Sequence, residues 1–133
     1  MVPTIDTVRY SYVTEILLDS QKYVYITGPA GTGKSVMISS LLRAIKEPRS
    51  VDPVDIIFSA QTSSYTTQTS IESKLEKKKQ FCFGARAGRK VVIFIDDINM
   101  PLVEEYGSQP PIEMLRLLVD KNGVYDRKER FWK

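Results

Sequence analysis

The octapeptide Gly28-Pro29-Ala30-Gly31-Thr32-Gly33-Lys34-Ser35 matches G-x-x-x-x-G-K-[ST] at every fixed position. A chain of 133 residues meets that pattern by chance with a probability of roughly half a percent. The flanks lower the odds further. Residues 23–27 (YVYIT) form a short apolar run suited to a buried strand, and Met37, Leu41 and Ile45 recur at helical spacing. Strand, glycine loop and helix is the context this motif requires. A glycine-rich turn with no ligand is the alternative, but such a turn needs neither Lys34 nor Ser35.

The loop residues have separate physical roles. Gly28, Gly31 and Gly33 permit backbone angles and approaches that a Cβ would block. The loop amides can then turn inward into a nest for anionic oxygens. Pro29 lacks an N–H, so donors run from Ala30 through Thr32, Gly33, Lys34 and Ser35 to Val36. The helix that follows brings the positive end of its dipole to the same place. Lys34 suits the β- and γ-phosphates of a nucleoside triphosphate, and Ser35 suits Mg²⁺.

A second signal is Val91-Val92-Ile93-Phe94-Ile95-Asp96-Asp97, five apolar residues closed by two acids. The run predicts a parallel strand buried on both faces. Open α/β sheets bind ligands at the carboxyl ends of their strands, where both acids fall. Asp96 fits a Mg²⁺ ligand acting through water. Asp97 fits a base that orients the water attacking the γ-phosphate. Alternatively, Asp97 only turns the chain into Ile98-Asn99-Met100-Pro101. Asn99 suits a cap on that turn better than a role at the γ-phosphate.

Beyond these motifs, several phrases resemble the AAA+ modules of dynein heavy chains, above all the third module of the axonemal type. They include Val2-Pro3-Thr4-Ile5-Asp6-Thr7-Val8-Arg9-Tyr10, Phe58-Ser59-Ala60-Gln61-Thr62 and Ile71-Glu72-Ser73-Lys74-Leu75-Glu76-Lys77. Further on come Ile95-Asp96-Asp97-Ile98-Asn99-Met100-Pro101, Glu105-Tyr106-Gly107-Ser108-Gln109-Pro110-Pro111-Ile112-Glu113 and Tyr125-Asp126-Arg127-Lys128. The resemblance runs almost end to end. It implies a module in a ring of six on one long chain, regulating a minus-end-directed microtubule motor of cilia or flagella. It also implies ATP or ADP with Mg²⁺ as ligands. The implied partners are the neighbouring AAA+ modules and, through the whole motor, dynein intermediate and light chains and microtubules. The implied location is the cytoskeletal axoneme. Many active AAA+ members carry Glu where this chain has Asp97. The shorter carboxylate implies slow hydrolysis, since catalytic geometry is sensitive to about 1 Å.

The resemblance also implies an α/β, three-layer αβα P-loop NTPase fold of AAA+ type, with a parallel sheet in the order 5-1-4-3-2. Residues 1–133 would then be the first part of the large subdomain, without the later strands, sensor residue, arginine finger and helical lid. Such a piece is expected to be inactive as an isolated ATPase, with function belonging to the longer chain.

Composition narrows the alternatives. Net charge is +3, and the one dense basic run, Lys74 with Lys77-Lys78-Lys79, lies in an expected helix. We read that run as a solvated face rather than a nucleic-acid site, because no aromatics interleave it for base stacking. No apolar run is long enough for a transmembrane helix, and the first residues lack signal-peptide regions. The single cysteine, Cys82, cannot close an internal disulfide, fits a reducing compartment and is expected to pack between Phe81 and Phe83. The absence of histidine excludes histidine metal sites and Ser-His nucleophiles.

Residues 7–20 should form a helix capped by Asp6, with Val8, Tyr12, Ile16 and Leu17 inward. Strands are expected at residues 23–27, 55–59 and 91–95, giving three in parallel. Helices should run from the phosphate loop to residue 46, through residues 71–79, and from Pro110-Pro111 to Asn122-Gly123. Ile112, Leu115, Leu118 and Val119 should share one face of the last helix, and residues 124–133 should begin a hairpin. Two functions fit best: a slow regulatory ATPase, or a nucleotide-binding module with little turnover. A small P-loop kinase is disfavoured by the paired acids closing a strand. A scaffold that merely retains the loop is the remaining possibility.

Overall fold

The structure, a computed structural model, describes residues 2–127 and 130–133. Its residues fall into two units, Met1–Arg49 and Ser50–Lys133. The first holds helices α1 (Ile5–Asp19) and α2 (Lys34–Ile45), which touch one another. The N-cap of α1 is Thr4, not Asp6. The Thr4 amide donates to Thr7 Oγ1 at 2.7 Å and the Thr7 amide donates to Thr4 Oγ1 at 3.2 Å. That reciprocal box satisfies two end donors, and Asp6 sits in the first turn, where the dipole favours an anion.

The expected inward row of α1 is overturned. Val8, Tyr12 and Ile16 are exposed, and Leu17 is only half-buried. The covered row is Thr7, Ser11, Thr14 and Leu18. Hydroxyl burial is tolerated there because Thr14 Oγ1 donates to the Tyr10 carbonyl at 2.7 Å. Arg49 ties the end of the unit to α1 through Glu15, at 2.5 Å, and Asp19.

Residues 23–27 form no ladder with any described residue, and Tyr23 and Tyr25 are exposed. A strand exists only by pairing. Among the described residues the parallel sheet holds β1 and β4 alone, paired with one another. The sheet therefore has two parallel strands where three were expected.

The second unit contains β1 (Val51–Ile57), α3 (Ser64–Glu72), β2 (Glu76–Lys79), β3 (Cys82–Gly84), β4 (Lys90–Asp96) and α4 (Pro110–Lys121). Strands β1 and β4 pair in parallel, from Val51 opposite Lys90 to Ile57 opposite Asp96. Strand β1 starts four residues earlier than expected and includes Pro53, which lacks a ladder donor but is tolerated at a sheet edge. Val54, Ile56 and Phe58 alternate onto one face and join Ile71 and Met114 in the core. Val91, Ile93 and Ile95 pack against them from β4. Residues 91–96 are only half-buried, so β4 is not covered on both faces as its apolar run predicted.

The helix expected over residues 71–79 is replaced by two elements. Helix α3 comes earlier, on the polar stretch, under a second capping box between Ser63 and Thr66. Residues 76–84 then form the antiparallel β2–β3 hairpin. The lysine run is solvated, on an exposed strand rather than a helix. Cys82 is exposed, not packed, because it lies in β3 with Phe83 turned to the partly covered side.

Helix α4 begins at Pro110 with both prolines in its first two positions, and Asn122 caps it in the left-handed region at φ 52°. Met114 is buried in place of Val119, which is exposed. The expected terminal hairpin is present as a single antiparallel bridge between Tyr125 and Trp132, and Lys128 and Glu129 lie outside the described residues.

Candidate functional site

The phosphate-loop residues are clustered in the first unit. Gly31 and Gly33 stand at φ 77° and 78°, the left-handed region that favours glycine. Gly33 is the N-cap of α2 and supplies no side chain, so the helix opens without a side-chain cap. Its first intrahelical bond is Met37 N–H to the Gly33 carbonyl, at 2.9 Å. The amides of Lys34, Ser35 and Val36 precede it and have no intrahelical acceptor.

The other helix starts sharpen the contrast. Helices α1 and α3 have side-chain capping boxes, and α4 has prolines where donors would be. Helix α2 keeps its full set of amide donors and its dipole directed at the loop. That arrangement suits an anion with several oxygens.

Lys34 folds back across the loop. Its ammonium donates to the carbonyls of Gly28 (2.9 Å) and Pro29 (2.6 Å), and to Thr32 Oγ1 (3.3 Å). Thr32 Oγ1 in turn donates to the Pro29 carbonyl at 3.0 Å. These neutral acceptors hold the positive charge at the loop. Ala30 is exposed and Ser35 is half-buried at the second position of α2.

The acidic pair lies in the second unit, at the carboxyl end of β4. Asp96 is the last ladder residue, opposite Ile57, and its carbonyl accepts from Phe58 N–H at 3.0 Å. Its half-buried carboxylate accepts the Asp97 amide on Oδ1 at 3.1 Å. Asp97 is exposed and left-handed, at φ 53°. Its carbonyl accepts from Met100 N–H at 2.9 Å, closing a turn immediately after the strand.

Gln109 adds a contact that its sequence context did not mark. Its Nε2 donates to the carbonyls of Pro101 (2.7 Å) and Asn99 (3.4 Å). Asn99 thus enters this turn as a backbone acceptor. The only local signal was a polar residue just before Pro110-Pro111, at a helix start.

A polar cluster stands apart from these acids within the same unit. Glu72 accepts from Lys133 Nζ (2.9 Å), Arg127 Nη2 (2.8 Å) and Gln68 Nε2 (2.6 Å). Lys133 Nζ also donates to Asp126 at 2.8 Å. Burial opposes the charge on Glu72, but hydrogen bonds from Lys133 and Gln68, with the charges of Lys133 and Arg127, prevail and hold it below the ordinary carboxylate range. Burial likewise opposes the Lys133 charge, and the bonds and charges of Asp126 and Glu72 raise it overall. These side chains join α3 to the terminal bridge.

A left-handed glycine loop opening an uncapped helix, and an acidic end on a parallel strand, define the α/β P-loop class. The model of the P-loop containing dynein motor region matches residues 1–133, and the chain belongs to that family. It is 53% identical over 133 residues to human dynein axonemal heavy chain 6, covering all of this chain and 3% of that protein. Over 129 residues it is 47% identical to mouse dynein axonemal heavy chain 1, covering 96% of this chain and 3% of the relative. Mouse dynein axonemal heavy chain 12 is 43% identical over 129 residues, covering 97% of this chain and 4% of the relative. The chain thus spans only a few percent of the length of these relatives. No helix among the described residues is long and apolar enough to cross a membrane.

Proposed function

We propose that this chain is part of a nucleotide-binding AAA+ module, the third and regulatory one, of an axonemal dynein heavy chain. It binds ATP or ADP and hydrolyses ATP slowly. The observation that carries this reading is the uncapped start of α2, with Gly33 left-handed and Lys34 held at the loop. Membership of the dynein motor family supports the same ligand.

In this reading the amides from Ala30 to Val36 cradle the phosphates, and Lys34 neutralises the β- and γ-oxygens. Ser35 and Asp96 would hold Mg²⁺, which supplies charge neutralisation at the phosphates. Such a site needs few protein ligands, since Mg²⁺ usually keeps waters and uses substrate oxygens. Asp97 orients water. The partners follow from the family: neighbouring modules of the same chain, intermediate and light chains, and microtubules, in the axoneme of a cilium or flagellum.

A second reading, binding with little hydrolysis, is favoured by one feature. Residue 97 is an aspartate, whose carboxylate reaches one methylene less far toward a water than the glutamate many active AAA+ members carry there.

A thermal melt with and without Mg-ATP tests the binding. Ligand at a hundred times its dissociation constant adds about 2.7 kcal/mol, a rise of roughly 5–15 °C for a domain of this size. A cooperative melt with no shift at saturating Mg-ATP would remove the nucleotide site.

A further inference from the structure

We propose that Gln109 is a positioning residue for the acidic end of β4, acting on Asp97 through the backbone of the turn it clamps. The inference rests on the assignment of Asp97 to water orientation. Asp97 holds a left-handed angle, uncommon outside glycine, at the point where the strand gives way to the turn. The turn closes on itself once, through Met100 N–H and the Asp97 carbonyl. Two further carbonyls of this segment, Asn99 and Pro101, both accept from one amide group, Gln109 Nε2.

Gln109 is itself held at its other end. Its carbonyl accepts Ile112 N–H at 2.9 Å and Glu113 N–H at 3.1 Å, the first bonds of α4. Pro111, two residues on, is fully buried, and Met114 one turn further belongs to the core. A rigid helix end is therefore latched to the turn that aims Asp97. The intervening loop is no competitor for this task. It closes on itself between Glu104 and Ser108, at 2.8 Å through both backbone and side chain. Its Leu102, Val103 and Tyr106 side chains are exposed.

The choice of glutamine follows from reach and donor number. One NH₂ group offers two protons to two carbonyls. Asparagine is one methylene shorter and loses that reach, while being a better helix N-cap. Gln109→Asn therefore separates positioning from stability.

The test uses a full-length motor carrying this segment, with the phosphate-loop lysines of its other modules replaced. Single-turnover phosphate release then reports this site, and Lys34→Ala is the control. For Gln109→Asn the expected result is an unchanged melting temperature, nucleotide affinity within about twofold, and turnover reduced about tenfold. Gln109→Ala should reduce turnover as much. Either change placed on Asp97→Ala should cause no further loss, because a residue that acts through Asp97 has nothing left to act on. Unchanged turnover in Gln109→Asn and Gln109→Ala, or losses that add to Asp97→Ala, would overturn the proposal while leaving the ATPase reading intact. Turnover that survives Lys34→Ala would overturn the ATPase reading, and the proposal with it.

Discussion

The Lys34 ammonium lies 2.6 Å from the Pro29 carbonyl, so its charge is held by its own loop. In the proposed site a nucleotide would draw Lys34 off the Gly28 and Pro29 carbonyls, exchanging neutral acceptors for anionic ones. An ammonium is attracted more strongly by an anionic phosphate oxygen than by a neutral carbonyl, which makes that exchange favourable. Removing the ammonium should cost about 3 kcal/mol or more of binding, over a hundredfold in affinity. We expect Lys34→Ala in the complete motor module to show no measurable Mg-ATP binding in an equilibrium titration. An unchanged dissociation constant would dismiss the phosphate-site assignment.

Asp97 supports a two-sided prediction. Glutamate at this position extends the carboxylate by one methylene and should raise turnover about tenfold if reach is the limit. Position 97 is left-handed, however, and Asp tolerates that region better than Glu through local hydrogen bonding. Asp97→Glu should therefore lose about 1 kcal/mol of stability while it gains rate. Phosphate release and a melt on the same preparation check both halves. A rate that stays flat would move the limit away from the base.

The glycine loop opening α2 and the acidic end of β4 were legible as structure because their information is local. Eight contiguous residues specify a turn and a helix start, and α2 indeed buries Met37, Leu41 and Ile45. Helix α4 was legible for the same reason, with prolines at one end and Asn122 at the other. The run at 23–27 has the composition of a strand, but pairing depends on neighbours that a local pattern does not contain. Residues 74–79 were misjudged because Lys and Glu suit a helix, yet the chain turns after Lys79 and pairs with Cys82 and Phe83. Hydroxyl burial on α1 was hidden because Thr14 satisfies its own polarity through the backbone. Gln109 was invisible because its partners are carbonyls, which carry no sequence signature.

The Glu72 cluster sets a pH dependence at both extremes. The folded pKa of Glu72 lies below its unfolded value, so its contribution is present above the unfolded value and is lost as pH falls through the folded one. The folded pKa of Lys133 is raised, so its contribution is complete below the unfolded value and disappears as pH rises through the folded one. Stability of the second unit should be flat near neutrality, then fall below about pH 4 and above about pH 10. Glu72→Gln should flatten the acidic side of the profile and lower the neutral plateau. Melting temperatures of both proteins across the pH range make the comparison, and parallel acid limbs would assign the loss to other carboxylates.

Gly123 follows the left-handed Asn122 but has no need of a left-handed angle itself. Its requirement is space. A Cβ built there would lie 2.6 Å from Trp132 Cε2 and 2.7 Å from the Lys133 carbonyl oxygen. That carbonyl accepts Val124 N–H at 2.9 Å, and the Trp132 ring meets Tyr125 edge-on with centroids 5.0 Å apart. A methyl group must therefore push aside a backbone bond, an aromatic pair and, through Lys133, the Glu72 cluster. Overpacking of this kind costs about 1–3 kcal/mol. Gly123→Ala should lower the melting temperature of the second unit. It should also shift the fluorescence of Trp132 to the red of the native emission, because the ring moves outward into solvent. Trp132 is the only tryptophan, so the signal is unambiguous. An alanine variant with native emission and native melting temperature would mean that the terminal bridge shifts freely.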